Sequence, residues 1–186
     1  MSWFSKKSDL QSKESQFIKL YCAASAAFQA DDLQRCIDLL LQAINIKDIP
    51  LTNTHADAWN YVGAAKMKLY DRDKNPDHLN EAEGALLMAR TLAYPGFYDD
   101  PNKASLDPVY NLGYCYYKQK RFAEAEECFL ERIRRKPSPD AFLLLGCICH
   151  KAGRKGEAVS NWEQGLKIDP TNSALKENLE NAKKFY

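Results

Sequence analysis

Three histidines and six cysteines are the side chains best equipped for chemistry in this sequence, and their placement argues against most of it. His55, His78 and His150 lie far apart along the chain with no nucleophile beside them, so no acid–base or nucleophilic set is evident. The glycine-framed serine of hydrolases, the H-E-x-x-H zinc helix and the phosphate-cradling G-x-x-x-x-G-K-[ST] loop do not occur. Cys22, Cys36, Cys115, Cys128, Cys147 and Cys149 make no CxxC pair. Cys147 and Cys149, two apart, would face different sides of a helix. The expectation is six small buried hydrophobes in a reducing compartment, with no catalytic residue, no metal and no cofactor. "DRDKNPDHLNEAE" sets Asp71, Asp73, Asn75 and Asp77 like the start of a calcium loop. However, Pro76 stands where a glycine must turn and Ala82 where a bidentate glutamate must close the shell. The stretch reads instead as a polar, mobile loop.

Bulk properties narrow the class further. Lys plus Arg is 26 against 25 Asp plus Glu, and a net charge of +1 does not favour nucleic acid or an anionic membrane as the main partner. A chain of 186 residues can bury ~70% of its unfolded surface, so a core needs no staple. "MSWFSKKSDL" lacks the apolar run of a secretory signal, Ser2 is not the glycine that myristoylation needs, and no stretch approaches the ~18 apolar residues of a membrane span. A cytoplasmic protein is expected. Residues 1–15 read as a loose N-terminal segment, with Trp3 and Phe4 beside Lys6 and Lys7.

The elements that must position any site show themselves as a repeat. Gly113, Ala125 and Pro137 recur as Gly146, Ala158 and Pro170, each pair 33 residues apart, with Leu112 matching Leu145 and Phe129 matching Trp162. Helical periodicity on both sides of each short turn makes the unit a helical hairpin. Weaker copies lie upstream. Gly63, Ala82 and Ala89 repeat the roles with seven extra residues in the turn, and Ala24 stands 12 residues before Cys36 with Asp31 and Asp32 between. Glycine inside a helix costs about 1 kcal/mol against alanine, so Gly63, Gly113 and Gly146 should sit where the paired helices touch, a place where leucine would overpack.

The predicted architecture is all-α: an α-solenoid of four hairpins over residues 16–170 plus a C-terminal capping helix over 171–186. The hairpins span 16–50, 54–95, 106–137 and 139–170, with insertions at 70–80 and 94–106. The second insertion, "YPGFYDDPNKASL", holds Tyr94, Phe97 and Tyr98, either packed on a hairpin edge or recognising a partner. In the last segment Thr171 or Asn172 caps the helix, and Leu175, Leu179, Ala182 and Tyr186 form its apolar face.

These residues resemble the tetratricopeptide repeat (TPR) family, whose pattern W-x₂-L-G-x₂-Y, then A-x₃-F, A and P, is met by Leu112, Gly113, Tyr116, Ala125, Phe129 and Pro137. Val109 and Arg132 depart from it. The resemblance implies that one stripe of each hairpin's first helix lines a concave peptide-binding groove. Carried across, the stripe reads Tyr21, Ser25 and Phe28, then Asn60, Ala64 and Met67, then Tyr110, Tyr114 and Tyr117, then Leu143, Cys147 and His150. Asn111 is the only residue matching the carboxylate clamp by which some members hold chaperone tails; the clamp is not expected, but Asn111 joins the groove as a group that could bond a bound peptide's backbone. The resemblance implies a non-catalytic adaptor or co-chaperone.

A basic edge accompanies the stripe. Lys68, Lys118 and Lys151 share one repeat position and Arg121 and Arg154 another, which suits an extended or helical peptide of acidic or carboxylate character. Asp57, Asp107 and Asp140 are read as helix caps. Two other readings stand beside this one: a structural module that self-associates through the convex faces, the 94–106 loop or the Trp3–Phe4 segment, and a secretion-type chaperone.

Overall fold

The computed structural model describes residues 3–93 and 107–185. Among these the chain is all-α, with nine helices and no strand: the hairpins of an α-solenoid followed by one closing helix. It divides into two compact units at Asn111/Leu112.

The first unit is built from α1 (Trp3–Gln29), α2 (Leu33–Ile44), α3 (Asn53–Asp73) and α4 (Asp77–Leu92). The 1–15 segment, expected to be loose, is helical from Trp3, and α1 reaches 27 residues against 12 for α2. Its first half carries mostly polar residues and shows no helical stripe, so nothing local announced a helix. Phe17, Ala24 and Ala27 on α1 bury against Leu33, Cys36, Ile37 and Leu40 on α2. The insertion expected as a mobile loop at 70–80 is largely helix. It lengthens α3 through Asp73 and starts α4 at Asp77, leaving only Lys74, Asn75 and Pro76 to turn. Asp73 accepts the Asn75 N–H at 2.9 Å and Asn75 accepts that of Asp77 at 3.0 Å. Asp73 and Asn75 thus act as local acceptors that shape the turn.

The second unit holds the rest of α5 (Pro108–Lys118) with α6 (Phe122–Arg135), α7 (Pro139–Lys151), α8 (Lys155–Ile168) and α9 (Ser173–Phe185). Asn172 caps α9, its side chain accepting the Leu175 N–H at 3.1 Å. Leu175, Leu179 and Ala182 are buried, with Leu175 seated against Gly165 of α8. The capping helix closes its unit as expected. Of the three helix caps assigned to Asp57, Asp107 and Asp140, the one at Asp107 is right. Asp107 accepts the Val109 N–H at 2.9 Å, whereas Ser138 caps α7 and Asp140 lies inside it. Asp57 is likewise inside α3 and buried.

Three hairpin turns share one backbone solution. Asp31, Lys120 and Gly153 adopt φ of 62°, 62° and 74°. The following N–H groups, of Asp32, Arg121 and Arg154, each reach back 2.9 Å to the carbonyls of Ala27, Tyr116 and Cys149. This left-handed closure satisfies carbonyls that the end of the first helix would otherwise orphan.

Gly63, Gly113 and Gly146 do lie where paired helices touch. A Cβ on Gly63 would stand 2.5 Å from Leu86 Cγ, one on Gly113 2.9 Å from Cys128 Cβ and 3.0 Å from the Phe129 ring, and one on Gly146 2.3 Å from Trp162 Nε1. The small residue admits the large side chain four positions after the second helix's alanine, since Leu86, Phe129 and Trp162 follow Ala82, Ala125 and Ala158 at that interval.

Candidate functional site

In the first unit the stripe residues Tyr21 and Phe28 of α1 converge on Tyr61 of α3. Ring centroids lie 6.0 Å apart for Tyr21–Tyr61 and 5.2 Å for Phe28–Tyr61, both edge to face. Burial, then the Asp57 charge, pushes the Tyr21 phenol well above its usual range, so it stays protonated as a donor. Lys68 Nζ stands 4.7 Å over the Phe28 ring and 3.4 Å from the Asp31 carboxylate, which Arg72 also binds. Two expected stripe residues are not on this surface. Asn60 is 0% exposed and Met67 5%. Asn60 instead accepts the buried Asn111 side-chain N–H at 2.9 Å, a contact within the first unit. Polarity and spacing made Asn60 and Asn111 look like groove groups, but their helix face turns inward.

Tyr61 carries the aromatic cluster that the expected stripe left out. It stands seven residues before Lys68, two helical turns, and that spacing could have found it. Sequence reading found no role for His55. It is 4% exposed, with its ring centroid 4.3 Å from that of Phe17.

In the second unit Tyr114 and Tyr117 are half-buried on α5, as are Leu143 and Cys147 on α7. Tyr110, one turn earlier on α5, is half-buried too. Lys118 Nζ lies 4.6 Å from the Tyr114 ring centroid, and Tyr117 meets Phe122 edge to face at 5.7 Å. Burial raises the Tyr117 phenol, with smaller contributions from Cys147 and Tyr114, so α5 and α7 share this surface. Cys147 is raised by burial and pulled the other way by the Trp162 indole and by Lys151. His150 and Lys151 are exposed at the end of α7, and the Leu143 carbonyl accepts the Trp162 indole N–H at 3.2 Å.

The two arginines of the basic edge are already occupied. Arg121 immediately precedes α6, binds both Glu124 oxygens and covers the Tyr116 ring at 4.3 Å. Arg154 binds Glu126 at 2.6 Å and Glu157 at 3.0 Å. Their fixed planar forks suit such pairs, and their charge is committed within the unit.

A paired-helix unit closed by a left-handed turn, with a small residue under a large one, is the geometry now repeated along the chain. The tetratricopeptide repeat pattern matches residues 108–137 and again residues 139–172. This chain is a tetratricopeptide repeat protein. No curated protein sequence matches it. Solved TPR-type structures share the fold at low identity. YrrB, a TPR protein with an unusual peptide-binding site, superposes with a TM-score of 0.67 at 16% identity, covering 99% of this chain and 84% of its own. MamA gives 0.65 at 20% identity, covering 97% and 87%. The APC/C hetero-tetramer Cut9–Hcn1 gives 0.70 at 13% identity over 90% of this chain, which spans only 30% of the matched chain.

As a TPR protein the chain is a protein–protein interaction module. Among the described residues no helix is long and apolar enough to cross a membrane. The Trp3 and Phe4 side chains, the 94–106 insertion and Tyr186, each given a role in the sequence reading, lie outside the described residues.

Proposed function

We propose that this TPR protein is a non-catalytic adaptor or co-chaperone that binds a peptide segment of another protein on the half-buried aromatic faces of its first helices. The observation that carries the reading is the α5–α7 face. There Tyr114 and Tyr117 are half-buried side by side with Lys118, next to Cys147 and Lys151. Tyrosines held in place by neighbours offer contact area at small entropy cost. Lys118, over the Tyr114 ring, and Lys151 are the basic groups offered to an acidic or carboxylate segment, and Tyr110, Leu143 and His150 extend the surface. In the first unit Tyr21, Phe28, Tyr61 and Lys68 make a comparable patch. The shared fold with YrrB supports a peptide-binding use at the level of architecture. All six cysteines are free thiols, which fits a reducing compartment such as the cytoplasm.

The test is capture of partners from the native cell by the wild-type chain and by a Tyr114→Ala/Tyr117→Ala double variant with an unchanged helical spectrum. Loss of capture is expected; undiminished capture overturns the assignment.

A second reading, self-association, has its own observation. Leu41, Leu87 and Leu130 occupy one repeat position, five residues after Cys36, Ala82 and Ala125, and are 37%, 41% and 41% exposed. Light scattering separates the two readings: a defined oligomer abolished by Leu87→Lys or Leu130→Lys supports assembly, and a monomer excludes it.

A further inference from the structure

His55 is a buried titratable group that peptide binding leaves unused. It occupies the third position of α3 in a capping box with Thr52. Its Nδ1 accepts the Thr52 backbone N–H at 3.2 Å and lies 3.2 Å from the Thr52 hydroxyl. The same ring carries Phe17 of α1, with centroids 4.3 Å apart and planes tilted by 31°. Phe17 is the only buried residue between positions 6 and 17, the stretch in which α1 runs out beyond α2. A further tie from this stretch is Lys13 to Asp48 at 3.3 Å, and that pair is largely exposed.

We propose that His55 is an acid-sensitive latch that holds the N-terminal half of α1 against the start of α3. Three features oppose a proton on this imidazole. Nδ1 already accepts a backbone N–H, so protonation replaces an acceptor with a donor facing a donor. The site is nearly dry, and burial penalises the charged form. The ring also sits at a helix N-terminus, where positive charge is unfavourable. The ionisable groups on neighbouring turns are Lys13, Glu14 and Tyr21 on α1, Lys47 and Asp48 in the 45–52 link, and Asp57 on α3. Lys13 closes on Asp9 and Asp48, and the Asp57 charge acts on Tyr21. Among the described residues none pairs with His55, whose pKa is lowered by burial alone.

The direction follows from linkage. In the opened state the imidazole regains its ordinary value near ~6.5, whereas in the latched state it is lower. Protons therefore favour the opened state. Latching is complete above the ordinary value and is lost as pH falls through it toward the latched value, by about tenfold per unit of difference. Acidification frees the first turns of α1, leaving the deeper Ala24 and Ala27 contacts with α2 in place.

The experiment is residue-resolved hydrogen exchange on the full chain, corrected for intrinsic rates, from about pH 7.5 to about pH 5, with NMR titration of the His55 ring. Protection of residues 6–17 is expected to fall with pH in the wild type and to stay within about twofold in His55→Gln. The glutamine can still accept the Thr52 N–H but cannot titrate in this range. Constant protection in the wild type overturns the latch, and so does an equal fall in His55→Gln. Should the variant fail to fold, the wild type decides: the opening midpoint must track the titration of His55, and a midpoint that does not do so refutes the proposal.

Discussion

The Trp162 indole lies directly on Gly146, and a Cβ there would approach Nε1 to 2.3 Å while that nitrogen donates to the Leu143 carbonyl. Alanine at 146 must therefore displace the indole or the α7 backbone and break the bond. Gly146→Ala is expected to destabilise the protein by about 1–3 kcal/mol despite its better helix propensity, read as a lower urea midpoint. Gly84, inside α4, is the internal control, because nothing lies within 4 Å of a Cβ built there. Gly84→Ala should raise stability by up to about 1 kcal/mol.

Lys120 holds φ at 62° in the turn where the equivalent Gly153 holds 74°. A side chain with a Cβ is strained in this region by about 1–2 kcal/mol, and glycine is not. Lys120→Gly is therefore expected to stabilise modestly, offset in part by the freer unfolded chain, and Gly153→Ala to destabilise by about 1 kcal/mol. Thermal unfolding of the two variants checks the opposite signs.

Cys22 is exposed on α1, whereas Cys36, Cys115, Cys128 and Cys149 are buried and Cys147 is half-buried. Burial pushes the Cys36 thiol up to about 11 and raises Cys147 and Cys149. A thiol reagent at neutral pH should modify Cys22 first, followed slowly by the rest as the fold opens. Peptide mapping after brief labelling tests this; early modification of Cys36 or Cys149 would contradict the burial.

Lys118 and Lys151 should behave differently from Arg154 in partner capture. Removing either lysine is expected to weaken capture of an acidic partner severalfold and to reduce its salt dependence. Arg154→Ala should leave capture nearly intact and lower stability, because its charge is held by Glu126 and Glu157. Parallel pull-downs at low and high salt, with denaturation curves, separate the two effects.

The hairpin repeat was legible before any coordinates because its cause is local and recurs. Gly113 and Gly146 with Ala125 and Ala158 mark where helices must touch, and a 33-residue period repeats that mark. Turn positions and the capping helix at Leu175 and Leu179 followed from the same logic. Helix within residues 3–15 was hidden because a mostly polar stretch carries no stripe. The seven extra residues after Gly63 read as loop because Asp, Asn and Pro favour turns, yet all but three residues of the link joined the two helices.

Which polar residue faces inward was the tertiary structure's decision alone. Asn60 and Asn111 are soluble-looking amides until each satisfies the other in a dry contact, and His55 is an ordinary surface residue until Phe17, 38 positions earlier, covers it. The pairing of Arg154 with Glu126 across 28 residues likewise cancels a charge that the linear pattern assigned to a partner. Spacing along one helix defines a face, but what covers that face depends on chain brought from far away in sequence.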